Sequence, residues 1–111
     1  MALAYYQKKD YVQAEKYFLE ALKMSPDFVN ALAGLATTYM ALGRYEEALQ
    51  KLERAVRKEP KLPQLHFELG KAYRGLGDRG KARDEFQRAA QLAPDSPLAD
   101  EAQRELKTLP P

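Results

Sequence analysis

Few side chains in this sequence could perform acid–base or nucleophilic chemistry. The chain has one histidine, His66, and no cysteine, which excludes thiol nucleophiles and cysteine metal sites. A lone histidine needs a positioned partner before it can act as a general base. The acidic pairs Glu46–Glu47 and Asp84–Glu85 are adjacent, so their side chains diverge on a helix. Because the sequence also lacks a phosphate-binding glycine loop and a metal-spaced cluster, it predicts a non-catalytic protein without cofactor or metal, with His66 packed between helices.

Basic residues could instead bind nucleic acid, and one set recurs at helical spacing: Lys51, Arg54, Lys58 and Lys61. Glu47 precedes Lys51 by four residues, a pairing that stabilises a solvated helix face. No aromatic side chains alternate with these cations to stack on bases. The net charge of +2 is also too small for strong attraction to nucleic acid, and no apolar run approaches the roughly 18 residues that a membrane helix needs. We therefore expect neither a nucleic-acid partner nor direct membrane insertion.

The elements that position these side chains follow a repeat of 34 residues. Pro26, Pro60 and Pro94 mark the ends of its copies, and four further slots recur at the same interval. Those slots hold Ala14, Ala48 and Ala82; Ala21, Ala55 and Ala89; Tyr5, Tyr39 and Tyr73; and Phe18, Leu52 and Phe86. A fixed period of this length is typical of one supersecondary unit that is copied and stacked. The 111-residue chain is therefore predicted to be a single domain of helical repeats.

Each copy is predicted to contain two amphipathic helices joined at a glycine. In the second copy, apolar residues recur at spacings of three and four on both sides of Gly43, which suits the left-handed residue that ends a helix. Gly77 fills the same slot in the third copy and Lys9 in the first, where a positive φ would strain a non-glycine residue. Arg79–Gly80 is expected to loosen the second helix of the third copy, because glycine is unfavourable inside a helix.

The period also predicts where the parts of the chain begin and end. It divides the chain into three repeats and a terminal helix: residues 1–28, 29–62, 63–96 and 97–109. The first repeat lacks the beginning of its first helix, which predicts that the sequence is a fragment of a longer protein. Ser96–Pro97 is a helix cap followed by a first-turn proline, and the narrow apolar stripe after it predicts a capping helix.

This pattern closely resembles the tetratricopeptide repeat over residues 1–96. The matching slots are Leu35–Ala36 and Leu69–Gly70, Tyr39 and Tyr73, Gly43 and Gly77, Ala48 and Ala55, Ala82 and Ala89, and Pro60 and Pro94. His66 is a departure, since the family usually has tryptophan there. The resemblance implies an all-α, right-handed helical-repeat solenoid of about three helix pairs plus a capping helix. It also implies a protein-binding scaffold whose concave face is lined by the first helix of each pair.

A second stripe on the first helices lies outside the predicted core and is the candidate partner-binding surface. Its members are Tyr6, Asn30, Ala33, Thr37, Met40, Gln64, Phe67, Lys71 and Arg74. Phe67 and Arg74 are the strongest candidates, since aromatic and arginine residues dominate interface hot spots. This mixture favours an extended or helical partner segment with apolar side chains and some negative charge. The alternative is that Phe67 and Tyr6 only pack against neighbouring helices.

The carboxylate clamp, with which some members of the family hold acidic chaperone tails, is not predicted here. The first lysine slot precedes Met1, and the other slots carry unsuitable residues. These are Leu3, Gly34, Gln64 and Glu68, or Ala33 and Thr37 in a frame one copy later. Binding of chaperone tails is therefore not expected.

Two other functions stay open. Met1, Leu3 and Tyr5 are apolar and could pair with another copy of the chain, which would make it a homo-oligomerisation module. The chain could also be a regulatory appendage of a larger protein. The sequence shows no basic region or cleavage site of a signal peptide, but in an expected fragment this absence is uninformative about localisation. The compartment stays unknown, with the cytoplasm slightly favoured for a soluble domain.

Overall fold

The structure, a computed structural model, describes residues 10–109, which fold into α-helices and their connections. The helices are α1 (Asp10–Met24), α2 (Val29–Ala41), α3 (Tyr45–Lys58), α4 (Pro63–Gly75), α5 (Arg79–Leu92) and α6 (Pro97–Thr108). Each helix packs against the next along the chain, as in a solenoid whose elements contact their neighbours. The prediction of an all-α helical-repeat solenoid is confirmed.

Glycines end the first helix of each complete repeat. Gly43 has a φ of 77° and Gly77 a φ of 82°, both in the left-handed region. The Gly43 N–H donates to the Met40 carbonyl at 3.0 Å, and the Arg44 N–H donates to the Tyr39 carbonyl at 2.8 Å. This pair of hydrogen bonds is the Schellman motif, which satisfies carbonyls that the helix leaves unpaired. The predicted role of these two glycines is confirmed.

The second helix of the third repeat, α5, is continuous through Gly80. Its first turn is capped by Asp78, whose carboxylate accepts a hydrogen bond from the Lys81 backbone N–H at 3.2 Å. Such a cap contributes about 1 kcal/mol, which is similar to the cost of a glycine in a helix. The helix is thus continuous at the Arg79–Gly80 pair, and the loosening expected from this pair stays a prediction. Lys9, the residue predicted to be strained, lies outside the described residues.

Two apolar clusters hold the helices together and leave one side of α2 and α4 open. The first joins α2, α3 and α4 around Leu35 and Leu52, and the second joins α4, α5 and α6 around Phe86. These three side chains are fully buried, and burial of each contributes about 1.5–3 kcal/mol. Gly70 lets α4 and α5 approach closely, since a Cβ there would lie 2.7 Å from the Phe86 ring.

His66 belongs to this packing. Its side chain is 3% exposed, and its two ring nitrogens lie 2.7 Å from Glu85 Oε1 and 2.7 Å from the Pro60 carbonyl oxygen. These contacts tie α4 to α5 and to the connection that follows α3. The only histidine therefore has the structural role that its slot predicts.

Candidate partner-binding groove

An open cleft of about 350 Å³ lies between α2 and α4. Both helices contribute side chains to it, and two tyrosines reach it from the beginnings of α1 and α3. The residues lining this α2–α4 cleft are Tyr11, Thr37, Met40, Ala41, Tyr45, Lys71, Arg74 and Gly75. The volume is at the lower end of the range for small-molecule sites, a size that suits side chains of a partner segment.

Four of the residues predicted to bind a partner meet in the α2–α4 cleft. Thr37 and Met40 lie on α2, and Lys71 and Arg74 occupy the same two slots one repeat later on α4. The Thr37 hydroxyl donates to the Ala33 carbonyl at 3.0 Å, so its proton is directed to its own helix. The repeat therefore places equivalent residues side by side and makes a surface that runs across both helices.

Tyr11 and Tyr45 are cleft residues that the sequence analysis missed. They begin second helices, whereas the predicted binding stripe was restricted to first helices. Tyr45 reaches the cleft because Gly75 faces it, and a Cβ on Gly75 would overlap the Tyr45 ring. In the preceding repeat, Tyr11 and Ala41 occupy the same two slots. The signal that could have identified them is the tyrosine shared by the first two copies at a 34-residue interval, each with a small residue, Ala41 or Gly75, 30 residues later.

Phe67 lies in the core, which corrects the prediction that it lines the groove. Its side chain is 5% exposed and packs edge-to-face on Phe86, with ring centroids 5.5 Å apart. The cause is α6, which packs on α4 and α5 and places Ala102 and Leu109 in the same buried cluster. Helix packing, the alternative considered for Phe67, is therefore its role.

Three other predicted site residues, Asn30, Ala33 and Gln64, are not among the residues that line the cleft. Asn30 and Gln64 are exposed near the beginnings of α2 and α4. Ala33 is half-buried and packs against the first apolar cluster. Tyr6 falls outside residues 10–109.

Both cations of the cleft are paired with a carboxylate. Lys71 Nζ lies 3.8 Å from Glu68 Oε1, and the Arg74 guanidinium contacts the carboxylate of Glu105 on α6. Glu68 is buried, accepts a hydrogen bond from Gln64 Nε2 at 2.7 Å, and occupies the slot where a clamp would need arginine. The cleft is therefore closer to electrical neutrality than its lysine and arginine alone indicate.

Tyr39 and Tyr73, which occupy the same slot of the repeat, pack in or against the first apolar cluster. Burial raises the pKa of both Tyr39 and Tyr73 above the ordinary value of 10.0, and nearby carboxylates add to the effect. The Arg44 guanidinium lies over the Tyr39 ring, 4.5 Å from its centroid. These phenols therefore stay neutral at physiological pH and act as packing groups.

Chemically, the cleft presents aromatic, thioether and methyl surface beside two ion pairs, a combination found at protein interfaces. Within residues 10–109 no group of three histidine or acidic side chains could hold a metal ion. In the same range, every helix is too short or too polar to be a membrane span.

Stacked helices with a 34-residue period define the chain as an α-helical repeat solenoid. A family profile described as tetratricopeptide repeat matches residues 5–61 and 40–106. The chain belongs to the tetratricopeptide repeat family. DnaJ homolog subfamily C member 7 of Mus musculus is 38% identical to it over 89 residues. That match covers 80% of this chain and 18% of the relative, so the chain spans about a fifth of the length of this relative.

Solved structures agree with this assignment. PcrH from Pseudomonas aeruginosa, in complex with the chaperone binding region of PopD, matches with a TM-score of 0.85 and 26% identity. The match covers 96% of this chain and 84% of that one. MamA from Desulfovibrio magneticus has a TM-score of 0.82 and 26% identity, over 91% of this chain and 55% of its own. The fold is thus an all-α, right-handed helical-repeat solenoid.

Proposed function

We propose that this chain is a non-catalytic scaffold that binds a segment of a partner protein in the α2–α4 cleft. The observation that carries the proposal is the meeting of Tyr11, Met40 and Tyr45 with Lys71 and Arg74 in one open cleft. Support for a peptide partner comes from PcrH, which has the same fold and was solved with a region of PopD.

Binding follows from the side chains of the cleft. The rings of Tyr11 and Tyr45 offer large apolar area with little conformational freedom to lose, and Met40 adapts its shape to what enters. Apolar side chains of the partner therefore provide the affinity. An acidic residue of the partner would approach Lys71 and Arg74 and fix the direction of the segment. An extended strand or one face of a helix can present such residues.

A substitution that fills the cleft tests this function. Ala41 lines the cleft and is exposed, so Ala41→Trp adds bulk there without touching the core. Gln50→Trp makes the same type of change at an exposed position of α3 and serves as the control. Peptides selected by the wild-type chain from a random dodecapeptide phage library should bind Ala41→Trp at least tenfold more weakly, equivalent to about 1.4 kcal/mol. They should bind Gln50→Trp normally, and equal binding to all three proteins would refute the groove assignment.

Exposed apolar residues on α1 favour self-association as a second candidate function. Val12, Tyr17 and Met24 are 52%, 68% and 90% exposed. A second copy of the chain would remove this surface from water. The residues through which the sequence predicts pairing, Met1, Leu3 and Tyr5, lie outside the described part of the chain.

Light scattering across a concentration series tests self-association. A dimer that dissociates in the Tyr17→Lys, Met24→Lys variant would support it. A wild-type chain that stays monomeric at millimolar concentration would contradict it.

A further inference from the structure

Arg74 stands between the α2–α4 cleft and helix α6. Its side chain lines the cleft, is 41% exposed, and contacts the carboxylate of Glu105. Glu105 is 28% exposed and belongs to α6, which is not among the elements that line the cleft. The Arg74 guanidinium, which an acidic partner would contact, is therefore already paired with Glu105, a residue that does not line the cleft.

We propose that Glu105 is a specificity-determining residue of the groove, because its pairing with Arg74 reduces the preference for acidic partner segments. This inference rests on the proposed function of the α2–α4 cleft. An acidic side chain of a partner must compete with Glu105 for the guanidinium. A neutral, apolar segment does not meet this competition.

The charges around the cleft support this assignment. Lys71 and Arg74 are balanced by Glu68 and Glu105, so the four groups sum to zero. Charged groups at an interface determine which partner binds more than how tightly it binds. The reason is that each charged group must first lose its bound water or an existing ionic partner. Arg74 is held by Glu105 in the free protein, so a partner carboxylate gains only the difference between the two pairings.

Changing Glu105 removes neither a residue that lines the cleft nor an apolar side chain that anchors α6. The helix is held by the buried side chains of Ala99, Ala102 and Leu109, which pack in the second apolar cluster. Glu68 is less suitable for a test, because it is buried and also accepts a hydrogen bond from Gln64. Glu105→Gln keeps the shape of the side chain and removes one negative charge.

The experiment pans one random dodecapeptide phage library against wild-type protein, Glu105→Gln and Glu101→Gln. Glu101 is exposed one turn earlier on α6, so its variant is the matched control for loss of charge from that helix. Peptides enriched by Glu105→Gln should contain more aspartate and glutamate than those enriched by the other two proteins. Acidic clones should bind Glu105→Gln about three- to fivefold more tightly than wild type, the size expected for one partly exposed charge pair. Thermal melting followed by circular dichroism verifies that each variant folds.

A second substitution separates this role from a general charge effect. In Arg74→Met the guanidinium is absent, so adding Glu105→Gln should change the binding of acidic clones by much less than it does in wild type. If wild type, Glu105→Gln and Glu101→Gln select peptides with the same content of aspartate and glutamate, the proposed role of Glu105 is wrong, although the groove assignment is unaffected. Failure to enrich any peptide, or enrichment of peptides that bind Ala41→Trp equally well, would overturn the proposed function itself.

Discussion

Replacing Phe67 with alanine should destabilise the fold, because this ring is part of the core and not of the groove. The side chain is 5% exposed and packs edge-to-face on Phe86 in the cluster that α6 closes. Truncation to alanine removes the ring and leaves a cavity between α4, α5 and α6. The same substitution at a groove residue would instead weaken partner binding and leave stability nearly unchanged.

The magnitude follows from burial. Truncating a fully buried phenylalanine costs about 3–5 kcal/mol, of which the edge-to-face contact contributes roughly 0.5–1.5 kcal/mol. For a domain of this size, such a loss lowers the melting temperature by roughly 10–20 °C. Phe67→Leu keeps most of the volume and should cost less than about 1.5 kcal/mol. Phe28 is 46% exposed, so Phe28→Ala should cost about 1 kcal/mol or less and serves as the aromatic control.

Urea unfolding followed by circular dichroism at equilibrium measures these differences directly. We expect Phe28→Ala and Phe67→Leu to be slightly less stable than wild type, and Phe67→Ala to be clearly the least stable of the four proteins. A Phe67→Ala protein that unfolds at the same urea concentration as Phe28→Ala, yet no longer binds selected peptides, would show that Phe67 belongs to the binding surface and not to the core. It would also refute the argument that α6 covers this side of α4.

Three further predictions concern the positions that hold the fold together. His66→Phe removes two buried polar contacts of 2.7 Å, from the ring nitrogens to the Glu85 carboxylate and the Pro60 carbonyl, and should cost about 2 kcal/mol in urea unfolding; a loss below about 0.5 kcal/mol would contradict its role. Gly43→Ala should cost about 1–2 kcal/mol because its φ is 77°, whereas Gly80→Ala, in a helix where the added Cβ would lie 3.9 Å from Asp78 Oδ1, an ordinary van der Waals distance, should stabilise by about 0.5–1 kcal/mol; effects of equal sign would refute this contrast. Tyr39 and Tyr73, whose pKa values are raised by burial, should ionise above pH 10.0 in an ultraviolet titration, and their contribution to stability should be lost as pH rises through that range; ordinary titration of every tyrosine would contradict the burial argument.

The sequence predicts those parts of the structure that local chemistry determines. Gly43 and Gly77 end helices because only glycine adopts a positive φ at low cost. The presence of glycine at these two positions of the sequence is therefore enough to predict the helix ends. The 34-residue interval likewise identifies Thr37 with Lys71 and Met40 with Arg74 as equivalent slots, so their proximity follows from stacking.

Properties that depend on packing between distant segments could not be predicted. The burial of Phe67 is set by α6, whose position on α4 is a tertiary contact without a local signature. The helices α4 and α6 begin 34 residues apart, at Pro63 and Pro97, but Arg74 and Glu105 occupy different slots of the repeat, so the period does not predict their pairing. Tyr45 lies on a second helix, outside the stripe predicted on the first helices, and its approach to the cleft depends on the small residue opposite it, Gly75.

The central claim, that a partner segment binds in the α2–α4 cleft, is tested most directly by nuclear magnetic resonance. The amide spectrum of nitrogen-15-labelled protein would be recorded during titration with a library-selected peptide. The account predicts that the largest shift changes fall on Thr37, Ala41 and Lys71, with Gln50 on α3 unaffected. Changes concentrated on α3 or on the exposed side of α1, with the cleft amides unmoved, would contradict it.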